Sequence, residues 1–330
     1  MGFDFLFSFR FADETDGISK IDMLLNGAGN YSRFDPFTRI MLLNNSFASD
    51  ALKDYARSGD MSKFSREIRD KRRTQGQDEK TDGGYKAAMK DSNLKGFVKE
   101  NRRELKALGL IRPEIKINLF PKNSFFLQFK IMLAKDYISR DDEDFYIIDN
   151  PVRKDKVFKI PMVPATSWKG NLRWMMKRRK EDKKLIDYLF GPDGSEESLY
   201  QGSLNFFTTF FNEIGIDLIN PHSRRTKTPT AGPIILETIP KGSEGWFSLL
   251  YFNQQIGASY SPLDSVVQSV LELMTVYGFS AKRKAGYGIV AVDNSAPLDG
   301  RLLMPHSAEM KFSSFNALSK LPAKIGQINQ

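Results

Sequence analysis

The chain has 330 residues, enough for one large or two ordinary domains with a sizeable core. Lysine and arginine outnumber aspartate and glutamate by 49 to 40, and the formal net charge of +9 favours a polyanionic partner, either a nucleic acid or a membrane surface. The chain has no cysteine, which excludes disulfides, thiolate catalysis and cysteine-type zinc sites. Its only histidines, His222 and His306, are far apart, which disfavours a two-histidine ribonuclease.

The apolar content of the chain is spread over short runs. Arg10 and Asp13 interrupt the first of them, so no secretory signal is predicted. No later run is long enough to span a bilayer. We therefore expect a cytoplasmic protein.

Residues 1–115 are predicted to form an N-terminal module of mixed helix and strand, whose role the sequence leaves open. Phenylalanine alternates with other residues over 3–11, a pattern typical of a strand with one buried face. Residues 34–54 are predicted to form helix and loop. Residues 74–85, rich in Gln, Gly and Asp, are predicted to form a loop.

Helical spacing continues over 94–110, where Gly109 and the later Pro113 give a normal helix end. The basic run 71–73 precedes this helix. It is consistent with an RNA-binding arm, although a solvated helix end is the commoner explanation.

The remainder of the chain alternates between strand-like and helical segments. Strand-like composition occurs at 115–120, 125–133, 158–163, 202–211, 246–252 and 289–292. Helical spacing occurs in a segment that begins near Val163 and again at 183–190 and 264–277. The order strand, helix, strand, strand, helix, strand over 125–292 predicts an α+β fold, with a ferredoxin-like or RRM-like sheet backed by helices.

The helix predicted after Val163 opens with small polar residues and continues with cations. Thr166 or Ser167 is expected to cap it, and Lys169 and Arg173 fall one turn apart on a single face. A helix N-terminus has unpaired N–H groups and a positive dipole end, so this segment predicts an anion site suited to polyphosphate. A solvated basic helix is the alternative.

A glycine-rich loop occurs late in the chain, over 277–290. Its glycines, Gly278, Gly286 and Gly288, surround the basic triplet of Lys282, Arg283 and Lys284. Glycines allow a backbone to approach a phosphate ester closely, and cations neutralise its charge. A basic hairpin without a ligand is the alternative.

These segments occur in a recognisable order. Asp149-Asn150-Pro151-Val152 reads D-x-P-V, the stretch from Pro164 to Arg173 reads P-x-x-S-x-K-G-x-x-R, and the glycine-rich loop follows. In this respect the chain resembles the RAMP superfamily of CRISPR-associated proteins, specifically the backbone subunits of type III RNA-guided effector complexes. The resemblance runs from about residue 125 to 292, roughly half of the chain.

The resemblance implies a domain organisation. Residues 116–295 would form the RAMP variant of the ferredoxin-like or RRM-like core, and 296–330 a C-terminal tail. A protruding thumb hairpin, which wedges into the guide–target duplex in this family, would occupy about 212–240, where the connection 220–233 is long, basic and punctuated by proline. Residues 1–115 would be an extension or inserted module of a specialised subunit.

The resemblance also implies partners and contact residues. The partners would be CRISPR RNA, complementary target RNA, other RAMP subunits and the large signalling subunit, with no membrane. The residues expected to contact RNA are Thr166, Ser167, Lys169, Gly170, Arg173, Arg224, Arg225, Lys227, Gly278, Lys282, Arg283, Lys284 and Gly286.

Asp149 matches the aspartate that cuts target RNA in this family. One carboxylate can hold a divalent cation, expected to be Mg²⁺, through water and orient a ribose 2′-OH for attack on the adjacent phosphorus. Substrate phosphates or other subunits would have to complete such a metal site. The alternatives are a turn role for Asp149 in a non-cleaving scaffold subunit, and a generic RRM-like RNA-binding protein unrelated to CRISPR.

Besides residues 1–115, for which the family pattern does not account, two features of the sequence depart from that pattern. Gly278-Phe279 stands where two glycines are common, and Trp168 stands where a small or aliphatic residue is usual. The nearby Asp141, Asp142, Asp144 and Asp155 are expected to belong to an acidic solvent loop.

Overall fold

The structure is a computed structural model. It describes residues 13–44, 49–74, 85, 89, 92–141, 147–148, 150–192, 200–219, 225–226, 234–254, 261–292 and 297–328. The chain divides into two compact units, each assembled from segments that are distant in sequence. The first unit comprises Met1–Asn101, Arg140–Val152 and Ile214–Thr238, and the second comprises Arg102–Ser139, Arg153–Glu213 and Ile239–Gln330.

Helices dominate the N-terminal part of the first unit. They are α1 (Glu14–Asn26), α2 (Pro36–Asn44), α3 (Asp50–Ser58), α4 (Arg66–Thr74) and α5 (Ser92–Ala107), which extends past residue 101 into the segment assigned to the second unit. Asp13 caps α1 by accepting a hydrogen bond from the Asp16 N–H at 2.8 Å, and Gly27 ends it with a φ of 63°. The apolar face of α1 is buried, so these helices share a small core.

Arg72, from the basic run 71–73, has a structural role in this unit. Its two terminal nitrogens each lie 3.1 Å from Asp22 Oδ2, and Tyr55 donates its hydroxyl hydrogen to Asp22 Oδ1 at 2.6 Å. Burial and the hydrogen bond to Asp22 raise the pKa of Tyr55 above its ordinary value. Arg72 therefore fixes α4 to α1 and α3, whereas the other two members of the run are exposed.

The second unit is built on an antiparallel sheet with the strand order β3–β7–β1–β8–β9. The strands are β1 (Phe125–Met132), β3 (Leu204–Phe206), β7 (Glu244–Tyr251), β8 (Gly300–Leu303) and β9 (Met310–Phe312). β1 pairs along its whole length with β7, and its apolar residues are almost entirely buried. The segment predicted as a C-terminal tail supplies β8 and β9.

The described helices of the second unit are α6 (Ala165–Arg178), α7 (Lys183–Phe190), α8 (Leu263–Glu272), α9 (Phe315–Ser319) and α10 (Leu321–Ile328). Trp168 of α6 is fully buried, with its ring centroid 4.9 Å from that of Phe247 on β7. Its indole N–H donates to Thr209 Oγ1 at 3.0 Å, which satisfies the polar edge of the ring. Trp168 therefore anchors α6 to the strands of this unit.

Two smaller strand pairs complete the described part of the fold. In the second unit β2 (Met162–Val163) pairs antiparallel with β4 (Thr209–Phe210). In the first unit β5 (Gly215–Ile219) pairs antiparallel with β6 (Ile234–Thr238). The latter pair occupies the position of the predicted thumb hairpin, whose connecting residues 220–224 and 227–233 lie outside the described residues.

The strand predicted at 115–120 is wrong. A short 3₁₀ helix, Ile117–Leu119, stands there, and Ile117 packs into an apolar cluster with Phe126 and Leu250. β1 already pairs with β7 on one side and β8 on the other, so no position beside it remains for a further strand. The apolar residues of this segment are therefore explained by packing against the sheet and not by strand pairing.

The strand predicted at 158–163 is also mostly wrong, because only Met162–Val163 is extended in a pair. Asp155 Oδ1 accepts hydrogen bonds from the Val157 and Phe158 N–H groups at 2.9 and 2.8 Å, which forms a turn. The strand predicted at 289–292 is reduced to one bridge, between Leu133 and Val290.

Several other sequence predictions are confirmed. The α+β class, the strands at β1 and β7, and the helices at α5, α7 and α8 all match. The finer prediction of a ferredoxin-like core with a protruding thumb stays a prediction. The strand predicted over 3–11 and most of the loop 74–85 lie outside the described residues. None of the described helices is both long and apolar enough to cross a lipid bilayer.

Candidate functional site

The start of α6 differs from the predicted cap. Pro164 is the N-cap, with φ of −67° and ψ of 155°, and its carbonyl accepts hydrogen bonds from the Ser167 and Trp168 N–H groups at 3.0 and 3.2 Å. Thr166 and Ser167 therefore lie inside the first turn, and no side chain caps the helix. The capping prediction for these two residues is wrong, because the helix already begins at Ala165, directly after Pro164.

The cations of α6 have different environments. Arg173 donates from Nη2 to the Gly191 carbonyl at 2.8 Å and lies 3.8 Å from Asp187 Oδ1, so it neutralises the C-terminal end of α7. Lys169 has no carboxylate partner within the described residues and is half-buried. The two side chains were predicted to bind phosphate alike, but among the described residues Arg173 contacts α7 and Lys169 does not.

Gly170 lies on the exposed side of α6. A Cβ added at this position would meet no described atom within 4 Å. Glycine within a helix costs about 0.5–1 kcal/mol relative to alanine. Its presence is therefore not explained by packing within the described part of the chain.

The glycine-rich loop is held closed by its own backbone. Gly278 has a φ of +74°, and a Cβ there would lie 2.5 Å from the Tyr287 carbonyl oxygen. Gly288 has a φ of +72°, and its Cβ would lie 2.8 Å from the Ser280 nitrogen. These two glycines are needed because the loop closes on its own backbone. The sequence analysis had explained them instead by close approach of the backbone to a phosphate.

Phe279 fixes this loop to α6. Its ring centroid lies 4.5 Å from that of Trp168, and its carbonyl accepts a hydrogen bond from Asn171 Nδ2 at 3.2 Å. Trp168 and Phe279, the two departures from the family pattern, are thus in contact with each other. Together they bring the basic triplet beside the C-terminal half of α6.

We expect Gly278→Ala and Gly170→Ala to have opposite effects on stability. The first places a side chain at a positive φ and against backbone, and should lower the free energy of unfolding by about 2 kcal/mol or more. The second removes backbone entropy from an open helix position and should raise it by about 0.5–1 kcal/mol. Urea unfolding followed by circular dichroism measures both. Equal effects would contradict the closed-loop geometry.

Cations and aromatic rings meet where the loop reaches α6. Arg283 lies over the Trp174 ring at 4.0 Å, and Arg178 lies over the Tyr277 ring at 4.7 Å. The two aromatic rings contact each other edge to face, with centroids 5.6 Å apart. Partial burial lowers the pKa of the Arg283 guanidinium below its ordinary value.

These residues line an open cleft of about 730 Å³. The lining is formed by Trp174, Arg178, Val276, Tyr277, Lys282, Arg283, Lys284 and Ala285. Within the described chain, none of its four cations has a carboxylate partner. The cleft therefore combines uncompensated positive charge with flat aromatic surface, and we call it the aromatic–basic cleft.

The sequence interpretation missed the aromatic half of this cleft. Trp174 stands four residues before Arg178 on α6, a spacing that places both side chains on one face. Tyr277 was assigned to the end of a helix and the start of the glycine-rich loop without a contact role, and here it ends a π-helical turn, Leu273–Tyr277. The i, i+4 spacing was therefore the available signal.

Asp149 lies outside the described residues, as do Arg224 and Lys227, whereas Arg225 is described and exposed. The residues that follow Asp149 are well held within the first unit. The Asn150 carbonyl accepts from the Glu237 N–H at 3.1 Å, and Glu237 Oε2 accepts from the Val152 N–H at 3.0 Å. Glu237 thus binds the segment 150–152 to β6 through both its backbone and its side chain.

Glu237 is fully buried, and Tyr85 donates its hydroxyl hydrogen to Glu237 Oε1. Burial raises the pKa of Glu237 well above its ordinary value, and the hydrogen bond from Val152 lowers it only in part. No group of three or more metal-ligating His, Asp or Glu side chains occurs among the described residues. Asp149 lies outside that search, so the predicted metal site at this residue stays a prediction.

Chains of three solved structures from CRISPR systems match this chain at low sequence identity and with TM-scores below 0.5. A type III-B Cmr-beta complex bound to cognate target RNA contains a chain with 15% identity and a TM-score of 0.49, covering 89% of this chain and 99% of that one. A chain of a Csm3–Csm4 subcomplex of a type III-A CRISPR–Cas interference complex has 17% identity and a TM-score of 0.40, and the match covers 62% of this chain and 96% of that one. A chain of a type III-B Cmr-beta complex in the apo state has 11% identity and a TM-score of 0.40, and the match covers 53% of this chain and 96% of that one.

No curated protein sequence matches the chain. Residues 144–291 match the family model of the RAMP superfamily. The matched region contains α6, the glycine-rich loop and the Glu237-bound segment 150–152. The resemblance seen in the sequence is therefore confirmed at the level of the RAMP superfamily for residues 144–291 of this chain.

Proposed function

We propose that this protein is an RNA-binding subunit of a type III RNA-guided CRISPR effector complex. The observation that carries the proposal is the aromatic–basic cleft, which lies within the region that matches the RAMP superfamily. The D-x-P-V and P-x-x-S-x-K-G-x-x-R motifs in the same region support the type III assignment. The RNA ligands would be CRISPR RNA and a complementary target.

The distribution of ion pairs on α6 supports an anionic ligand at the cleft. Arg179 forms ion pairs with Glu181 and Glu272, and Arg173 lies beside Asp187. Arg178, between them in sequence, has no carboxylate partner among the described residues. Charge is thus neutralised on the protein-facing side of the helix and left available beside the loop, where phosphate groups would neutralise it.

Gly170 provides a further argument. A side chain at this position would meet no described atom, so packing does not explain why a destabilising glycine stands in the helix. A residue without a side chain allows an RNA backbone to approach α6 closely, beside the amine of Lys169. We therefore retain Lys169 and Gly170 as proposed RNA contacts, together with the triplet of Lys282, Arg283 and Lys284.

Target cleavage at Asp149 with Mg²⁺ forms part of this proposal, and a non-cleaving scaffold subunit is its alternative. Other RAMP subunits and the large signalling subunit are the proposed protein partners. The β5–β6 pair, with Arg224, Arg225 and Lys227 in its connection, is the proposed thumb. Each of these roles follows from the motif resemblance.

The proposal predicts a reduced salt dependence when lysines are removed. Each phosphate contact contributes about 0.7 to the slope of log K against log salt for single strands. The triple variant Lys169→Ala, Lys282→Ala, Lys284→Ala should therefore bind an unstructured RNA more weakly, with a slope shallower by about 2. Filter binding across a salt series measures both quantities.

A matched control uses exposed lysines elsewhere in the second unit. Lys184→Ala with Lys311→Ala removes positive charge without touching α6 or the loop. This variant should retain the slope of the wild type. An unchanged slope in the triple variant, or an equal change in the control, would contradict specific phosphate binding at the proposed surface. Arg173 is left intact because it stabilises α7.

A further inference from the structure

The aromatic–basic cleft contains a guanidinium stack with an unused hydrogen-bonding atom. Arg283 Cζ lies over the Trp174 ring, 4.0 Å from the ring centroid. Its Nη1 atom is buried and has no hydrogen-bond partner within the described residues. A buried, unpaired donor on a charged group is costly, so this atom requires an acceptor that the described chain does not supply.

A second indole–guanidinium stack in the same unit provides the comparison. Arg112 lies over Trp246 at 4.1 Å, almost the same distance. However, Arg112 Nε donates to Gln128 Oε1 at 3.3 Å, and its Nη1 lies 3.5 Å from Asp299 Oδ2. The Arg112 guanidinium therefore has both an aromatic ring and polar partners within the protein. The Arg283 guanidinium has the aromatic ring, but its Nη1 has no polar partner among the described residues.

We propose that the cleft binds one unpaired nucleotide of an RNA strand, with its base against the Trp174–Arg283 stack and its phosphate beside Lys282 and Lys284. This inference rests on the proposed function and adds recognition of a base to recognition of the backbone. An unpaired nucleotide is required because a base within a duplex has no free face. Arg283 Nη1 is buried in this structure, so the guanidinium would turn towards the cleft as the base binds, and a carbonyl or ring nitrogen of the base would accept its hydrogen bond.

The surface chemistry of the cleft favours a nucleotide over an acidic peptide. Both ligands would satisfy the four cations, but a carboxylate side chain would leave the aromatic and aliphatic lining exposed. Val276 is 61% exposed at the cleft, next to Tyr277. A base is planar and apolar on its faces, so it would cover this surface and extend the stack of indole and guanidinium.

The test compares RNA with a polyribose phosphate of equal length that carries the same phosphates without bases. The full-length wild-type chain should bind the base-bearing RNA about tenfold more tightly, since stacking of one base contributes about that factor. It should also quench the fluorescence of 2-aminopurine placed in that RNA. Trp174→Leu should lose most of this preference while binding polyribose phosphate as the wild type does. Arg283→Gln should also lose most of the preference, and it should bind polyribose phosphate more weakly because a cation of the triplet is removed.

Two further variants distinguish loss of the base-binding surface from a general disruption of the unit. Trp174→Phe retains an aromatic face and should keep an intermediate preference. Trp246→Leu disrupts the completed stack elsewhere in the unit and should leave the preference unchanged. Circular dichroism of every variant checks that it remains folded.

Several outcomes would overturn the inference. Equal wild-type affinity for both polymers, or an unaltered preference in Trp174→Leu, would leave phosphate binding, and thus the proposed function, in place without a base site. Absence of binding to either polymer would remove both. Trp174-dependent binding of polyglutamate in preference to RNA would assign the cleft to an acidic protein partner instead.

Discussion

Glu237→Gln is expected to flatten the pH dependence of the stability of this protein. Glu237 is fully buried, and burial raises its pKa well above its ordinary value of about 4.5. The folded state therefore holds the proton on this carboxyl group more tightly than the unfolded state does. Glutamine has the same shape, is uncharged at every pH and retains an oxygen that accepts a hydrogen bond.

The direction of the effect follows from linkage. Below about pH 4.5 the carboxyl group is protonated in both states, and its contribution to stability is fully present. As the pH rises from there towards the folded-state pKa, the unfolded state loses its proton first and gains stability. The free energy of unfolding then falls by about 1.4 kcal/mol for each pH unit between the two pKa values.

Urea unfolding of the wild type and Glu237→Gln at a series of pH values measures this difference. The gap between the two proteins should shift in favour of glutamine as the pH rises through the acidic range. The exposed Glu100, in the same unit, provides the control, and Glu100→Gln should follow the wild-type curve. Parallel curves for the wild type and Glu237→Gln would show that Glu237 ionises normally in the folded protein.

The sequence was most informative where the apolar residues form a continuous run or a helical repeat. β1 and β7 are apolar over most of their length, and the structure pairs them residue for residue. α5 was predicted from its spacing and from Gly109, which has a φ of +72°. In each case the local pattern and the tertiary contact require the same residues, so local rules were sufficient.

Local rules were insufficient where a distant segment decides the role of a residue. Ile115 and Ile117 alternate as a strand does, but β7 and β8 already occupy both sides of β1. Glu237 is an acidic residue in an apolar strand, and its buried carboxyl group is bound by Tyr85 and Val152. Both outcomes depend on chain segments that the sequence pattern does not bring together.

The candidate site shows the same division. The basic triplet and its glycines were found from the sequence, since unusual composition is visible locally. The aromatic half of the cleft required α6 and the π-helical turn to meet, which the Trp168–Phe279 contact achieves. The loop glycines were predicted to approach phosphate, yet Gly278 and Gly288 are needed to close the loop.

Asp149→Ala is expected to abolish metal-dependent cleavage of a complementary RNA at one position, while guide and target binding remain as in the wild type. The adjacent residues are fixed, since Glu237 binds the segment 150–152 through Asn150 and Val152. Loss of the carboxylate should therefore remove its charge without releasing the loop. Asp149→Asn should fail almost as completely, because an amide can form the turn but does not attract a cation.

The measurement uses the reconstituted complex with guide, matched target and Mg²⁺, and cleavage products are resolved by length. Asp155→Asn is the matched control, because Asp155 is a nearby acidic residue whose side chain accepts hydrogen bonds from Val157 and Phe158 in a turn. It should cleave normally. If Asp149→Ala loses stability while Asp149→Asn does not, and both variants still cleave, then the aspartate has the turn role. A wild-type complex that produces no cut assignable to this subunit would favour the non-cleaving scaffold, since RNA binding at α6 and the glycine-rich loop does not depend on cleavage.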